Sequence, residues 1–250
     1  MKYEKLAPYI LGFFLIASIV NIYSILTDFD ILGLTSKPLL ISSLGLWFVL
    51  KTIPLRNSYL KFFLTGLAFS VAGDTLLMFV KTKGELYFLL GLGSFLFAHI
   101  FYIAAFNAYP NFKKGLVAQK PLWTLPFCVV LFTILIILWD NLGEFLAPVV
   151  IYAGVIISMS VFSFNMKHRV NSQVSNQLFT GAALFVLSDL IIALSKFKFP
   201  DANPKVSGIT IMVTYLLGQY LLTAGVIKIR KHQGNTDLSS TQIIGSPKGN

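Results

Sequence analysis

Eight predominantly apolar runs occupy most of this sequence, at about residues 8–26, 36–50, 59–80, 86–106, 121–139, 145–166, 176–195 and 206–228. A hydrocarbon slab of about 30 Å is crossed by a helix of roughly 20 apolar residues, so each run is a candidate transmembrane helix. Composition points the same way. A 250-residue chain that is 56% hydrophobic and 12% charged carries more apolar surface than one soluble core hides. The expected fold is all-α, a polytopic membrane protein of about eight transmembrane helices forming a single domain over residues 1–231. A polar tail over 232–250, rich in Ser, Gly, Thr and Asn, is expected to be disordered. The first run lacks a small-residue cleavage site and is followed directly by further spans, which predicts a retained helix rather than a secretory signal. The single cysteine, Cys128, lies in the fifth run, where it reads as a small buried apolar residue.

The formal charge of +10 raises nucleic acid as a partner, but the distribution of charge argues against it. Sorting the loops by side puts 14 of the 20 basic residues on the side holding both termini, among them Lys51, Arg56, Lys61, Lys113, Lys114, Lys167, Arg169 and Arg230. The opposite loops hold Lys37, Lys81, Lys83, Lys196, Lys198 and Lys205, offset by acidic residues such as Asp28, Glu85 and Asp201. The positive-inside rule then places both termini in the cytoplasm, with the basic loops facing anionic lipid headgroups. Short loops and no organelle signal point to a bacterial inner membrane.

Two aspartates interrupt the apolar runs, Asp74 in FSVAGDTLLMF and Asp189 in LFVLSDLIIAL. A carboxylate at such depth is costly, so chains keep one there mostly when it performs a task. The topology makes the third and seventh helices run in the same direction. At 1.5 Å per residue, Asp74 then lies about 9 Å, and Asp189 about 10 Å, from the outer end of its helix. Gly-Asp and Ser-Asp, each followed by apolar residues, form a weak internal echo that accords with two parallel four-helix repeats. His99 and Tyr102 are three apart, Tyr215 and Gln219 four apart, so each pair shares a helix face. Asn21 lies near the depth of the aspartates, and Ser70 is one turn below Asp74. Together these residues can line one polar cavity. Each also has a structural alternative, an interhelical hydrogen bond for the Tyr and Gln residues and a carboxyl bridging two helices for each aspartate.

The sequence has no G-x-S-x-G elbow, H-E-x-x-H or glycine-rich phosphate loop, and His99 has no partner at metal-ligand spacing, so no metal or cofactor is expected. The glycines of GLGSF, at 91–95, lie within an apolar run and read as close helix packing.

GDTLLMF in the third run, GLGSFLFAHIFY in the fourth, GAALFVLSDLIIALSKF in the seventh and YLLGQYLL in the eighth together resemble the YhhN family of membrane lysoplasmalogenases. Lys37-Pro38, at the expected start of the second helix, also fits that family's pattern, and the likeness extends to about Arg230. The resemblance implies hydrolysis of the vinyl ether bond of lysoplasmalogens to a fatty aldehyde and glycerophosphoethanolamine or glycerophosphocholine. The residues suit that chemistry. Protonating the β-carbon of a vinyl ether generates an oxocarbenium ion that water captures, which calls for a proton donor beside an anion. Asp74 and Asp189 are the expected pair, in either order, with His99, Tyr102, Tyr215, Gln219 and Asn21 positioning water or the glycerol hydroxyl. Lys37, expected at the outer mouth of the second helix, would hold the phosphate, or else simply snorkel to the interface. The lysolipid substrate would enter from the bilayer. A small proton-coupled transporter using the same carboxylates is the rival expectation, distinguished by flux without a new product, and a lipid-binding subunit without turnover is a third.

Overall fold

The structure, a computed structural model, describes residues 3–244. Eight long helices account for the eight runs: α1 (Ala7–Thr27), α2 (Asp30–Thr52), α3 (Ser58–Met78), α4 (Glu85–Ala108), α5 (Leu125–Leu138), α6 (Leu146–Phe164), α7 (Ser172–Ala193) and α8 (Pro204–Ile244). There is no strand among the described residues, and eight helical segments are long and apolar enough to cross a membrane. The chain is an integral membrane protein.

The boundaries show why apolarity alone shortens some helices. The second run is expected from residue 36, yet α2 begins at Asp30. Thr35 and Ser36 donate their hydroxyls back to the Ile31 and Leu32 carbonyls, at 2.9 and 2.6 Å, so they stay inside the helix with their polar groups satisfied. Lys37 and Pro38 consequently lie about two turns into α2 rather than at its mouth, which corrects their expected position. At the start of α7, Asn171 accepts from the Val174 amide at 2.8 Å and caps the helix four residues before the apolar run. A π-helical turn, Leu194–Lys198, carries α7 onward. The eighth span is Pro204–Arg230, and the backbone of α8 stays helical to Ile244. The tail expected over 232–250 thus overlaps the end of α8, and its last residues, 245–250, lie outside the described residues.

The most extensive pairings are α3 with α4, α7 with α8, and α1 with α2. The circuit closes through α2 on α3, α4 on α6, α6 on α7, and α8 back on α1 and α2. Small residues allow the tightest approach. A Cβ on Gly218 would stand 2.9 Å from the Gly181 carbonyl oxygen, so α7 and α8 meet backbone to backbone there. Gly91 likewise makes room for Leu77, whereas Gly93 has open space beside it, so only one of these two glycines serves packing. Helix α5 sits outside the circuit, mainly against α6, and exposes Val129, Phe132 and Ile136. Cys128 is exposed on this same helix, not buried as expected, because α5 has so few neighbours.

Each end of the bundle is tied by contacts between connections. At the end nearer the termini, Arg169 donates to the Tyr109 and Pro110 carbonyls, and Asn165 accepts from the Ala118 amide at 2.9 Å. At the opposite end, Lys205 pairs with Asp28 at 2.6 Å and Lys196 with Glu85 at 3.0 Å.

Candidate functional site

Asp74 is buried on α3, one turn before its end, and its carboxylate accepts from the Tyr215 hydroxyl of α8 at 2.7 Å. Gly73, immediately before it, lets the Phe95 ring of α4 lie where a side chain would stand, 2.7 Å from the position of a Cβ. Nothing larger fits there without displacing that ring. One turn deeper, Ser70, Tyr102 and Gln219 form a closed triangle. Tyr102 donates to the Gln219 side-chain oxygen at 2.9 Å, Gln219 donates to Ser70 at 3.0 Å, and the Ser70 and Tyr102 hydroxyls lie 3.3 Å apart. These groups satisfy one another inside the bundle, so the triangle forms a rigid floor beneath Asp74.

Asp189, on α7, accepts a hydrogen bond from the hydroxyl of Tyr152 on α6. Aromatic rings fill the space between their tyrosines. Phe185 lies 5.3 Å from Tyr215 and 4.7 Å from His99, and His99 lies 5.5 Å from Tyr152, all as ring-centroid distances in edge-on geometry. Asp189 also opens onto a cavity of about 50 Å³ between α3, α4, α6 and α7, walled by Leu77, Phe88, Phe95, Val149, Tyr152 and Phe197. Asp189 and the Tyr152 hydroxyl are the polar groups of an otherwise apolar chamber.

The residues expected to share one polar cavity therefore divide among several places. Asp74 and Tyr215 belong together. Tyr102 and Gln219 meet each other and Ser70 one turn deeper. His99 is fully buried among Phe185 and Tyr152, and both of its ring nitrogens lack a hydrogen-bond partner among the described residues. Asn21 donates to Ser36 at 3.0 Å, and its own side-chain oxygen is buried without a partner among the described residues. Sequence reasoning passed over Tyr152, which holds Asp189. The signal was present as a phenol inside an apolar run, but Tyr152 has no polar neighbour in sequence to draw attention to it. It also passed over Phe95 and Phe185, whose rings are ordinary in so apolar a chain.

The chain matches the YhhN family over residues 32–226, which includes every residue of the site except Asn21. Two similar proteins are lysoplasmalogenase TMEM86A of Bos taurus and lysoplasmalogenase TMEM86A of Homo sapiens. Each is 30% identical over 171 residues, an alignment covering 66% of this chain and 65% of the relative. The chain thus spans just under two thirds of the length of these relatives. No solved structure matches it significantly.

Proposed function

The chain belongs to the YhhN family, and we propose that it is a membrane-embedded hydrolase that cleaves the vinyl ether bond of lysoplasmalogens. The products are a fatty aldehyde and a glycerophospho-alcohol, glycerophosphoethanolamine or glycerophosphocholine. The observation that carries this reading is the pair of tyrosine-held carboxylates, Asp74 and Asp189, set across one aromatic cluster beside an apolar cavity. The names of the related proteins support the substrate class.

In the proposed reaction Asp189, which faces the cavity, gives its proton to the β-carbon of the vinyl ether. The double-bond electrons form the new C–H bond, and the α-carbon becomes an oxocarbenium ion. Asp74 remains the anion that stabilises this cation, with the Tyr215 hydroxyl donating to its carboxylate. Water adds at the α-carbon and loses its proton to a carboxylate. The resulting hemiacetal gives its hydroxyl proton to the free carboxylate as the C=O forms, the C–O bond to glycerol breaks, and the glycerol oxygen takes the proton that water left on the other carboxyl. Two carboxyls held in different surroundings divide the acid and base roles in this way. His99, with both ring nitrogens unpaired, receives the water or the glycerol hydroxyl, because a buried imidazole without a partner is costly unless a ligand completes it. The triangle of Ser70, Tyr102 and Gln219 positions Asp74 from below.

The lysolipid would slide in from the bilayer and leave its tail among the apolar helices. We read the end bearing the termini as cytoplasmic, with its basic loops on anionic headgroups, and a bacterial inner membrane as the location.

The test is purified protein incubated with a vinyl-ether lysolipid and its saturated-ether counterpart, with products read by mass spectrometry. Wild type releases aldehyde from the vinyl ether alone, and folded Asp74→Asn and Asp189→Asn variants release none above background. Absence of aldehyde from folded wild type, with proton or solute flux in sealed vesicles, would instead mark a carrier.

A further inference from the structure

At the end of the bundle away from the termini, the Lys196 ammonium lies 4.4 Å from the ring centroid of Phe88 and 5.6 Å from that of Phe197. Both rings line the cavity onto which Asp189 opens. Phe145 adds a third ring, 5.3 Å from the same ammonium, and Glu85 takes the ion pair at 3.0 Å. One cation thus sits on the aromatic rim of the chamber whose inner end holds the carboxyl. Lys196 follows Asp189 by seven residues in sequence, about 10 Å along the helix at 1.5 Å per residue. That is the order of length of an extended alkenyl-glycerol-phosphate unit.

The pair bridges two segments at this end of the bundle but adds little to stability, because exposed ion pairs contribute little. The Lys196 and Glu85 side chains are 24% and 62% exposed, so both remain open to a ligand. The rings of Phe88, Phe145 and Phe197 hold the ammonium at the rim when its carboxylate partner turns away. Lys37, the expected phosphate holder, instead lies about two turns into α2.

We propose that Lys196 and Glu85 form the headgroup clamp of this site, Lys196 binding the phosphodiester and Glu85 the ammonium of a zwitterionic single-chain glycerophospholipid. The proposal rests on the hydrolase reading above and assigns the part of the site that selects the substrate. An ion pair and a zwitterion exchange partners without leaving a charge unpaired, so the clamp admits a headgroup bearing both charges at low electrostatic cost. Once the headgroup is clamped, the vinyl ether lies in the chamber toward Asp189.

The experiment measures binding of three saturated-ether ligands that cannot be hydrolysed: an alkyl lysolipid with a phosphocholine head, one with a bare phosphate monoester, and the alkylglycerol without phosphate. Wild type, Lys196→Gln and Glu85→Gln are compared in detergent, with thermal unfolding as the control for folding. Lys196→Gln is expected to weaken both phosphate ligands about tenfold and leave the alkylglycerol unchanged. Glu85→Gln is expected to weaken the phosphocholine ligand alone. Excess inorganic phosphate should displace neither lipid from wild type, whereas displacement would show a free-anion site and overturn the lipid assignment. Equal loss for all three ligands, or no loss, would also overturn the clamp. Aldehyde release from the vinyl-ether substrate is scored separately. Ordered binding without aldehyde defeats the activity and keeps the clamp. Aldehyde with binding indifferent to Lys196→Gln does the reverse.

Discussion

Tyr152 and Tyr215 do the same work for different carboxylates, each donating a phenolic hydrogen bond to an aspartate inside the membrane. In the proposed reaction Asp74 is an anion and Asp189 becomes one as its proton leaves, and a hydrogen bond to a charged group contributes about 1.5–3 kcal/mol, roughly one to two orders of magnitude in an equilibrium or a rate. Tyr152→Phe keeps the ring that packs on His99 and removes only the hydroxyl. We expect kcat for vinyl ether cleavage to fall about ten- to a hundredfold, with KM little changed and the protein still folded. A variant with wild-type kcat would remove Tyr152 from the account. At this scale the sequence was only partly legible. The two aspartates stand out because charge inside an apolar run is rare, and the shared face of Tyr215 and Gln219 follows from their spacing. Tyr152 was not legible, since only tertiary packing brings α6 beside α7. The position of Lys37 was misread because hydropathy hides the polar first turns of α2, whose hydroxyls are satisfied by the helix itself.

The helices were read mainly from run length, and the runs proved sound where the apolar stretch and the hydrogen-bonded helix coincide. They were short wherever polar residues cap or extend a span, as Asn171 does for α7. Contact between helices was harder to foresee. A glycine in an apolar run signals close packing in general, yet Gly91 and Gly93, two residues apart, differ completely in what lies beside them. The approach of Gly181 to Gly218 makes the clearest element-level prediction. Gly218→Ala puts a Cβ 2.9 Å from a backbone oxygen, so α7 and α8 must separate. Overpacking of this kind costs about 1–3 kcal/mol. The α7–α8 pair carries Asp189 on one helix and Tyr215 on the other. Gly218→Ala should therefore lower both unfolding midpoint and turnover, whereas Gly154→Ala, with open space beside the residue, should change neither. Equal behaviour of the two variants would show that the close contact is unimportant.

For the whole molecule, the membrane class and the count of eight spans follow from composition and run length, while orientation rests on the uneven placement of basic residues. That asymmetry predicts which end faces which side. In a Cys128→Ser background, Lys198→Cys should react with a membrane-impermeant thiol reagent from outside intact cells, and Lys113→Cys only after permeabilisation. Both positions are exposed, so the reverse pattern would invert the topology. The chemistry of the assembled site is tested most directly by isotope. Turnover of a vinyl-ether lysolipid is run in deuterium oxide, with the aldehyde trapped as it forms and analysed by mass spectrometry. Protonation by a carboxyl in exchange with solvent predicts one deuterium on the carbon next to the aldehyde group, formed by wild type and lost with Asp189→Asn. Aldehyde carrying no deuterium at that carbon, or formed undiminished by Asp189→Asn, would contradict cleavage by a proton-donating aspartate.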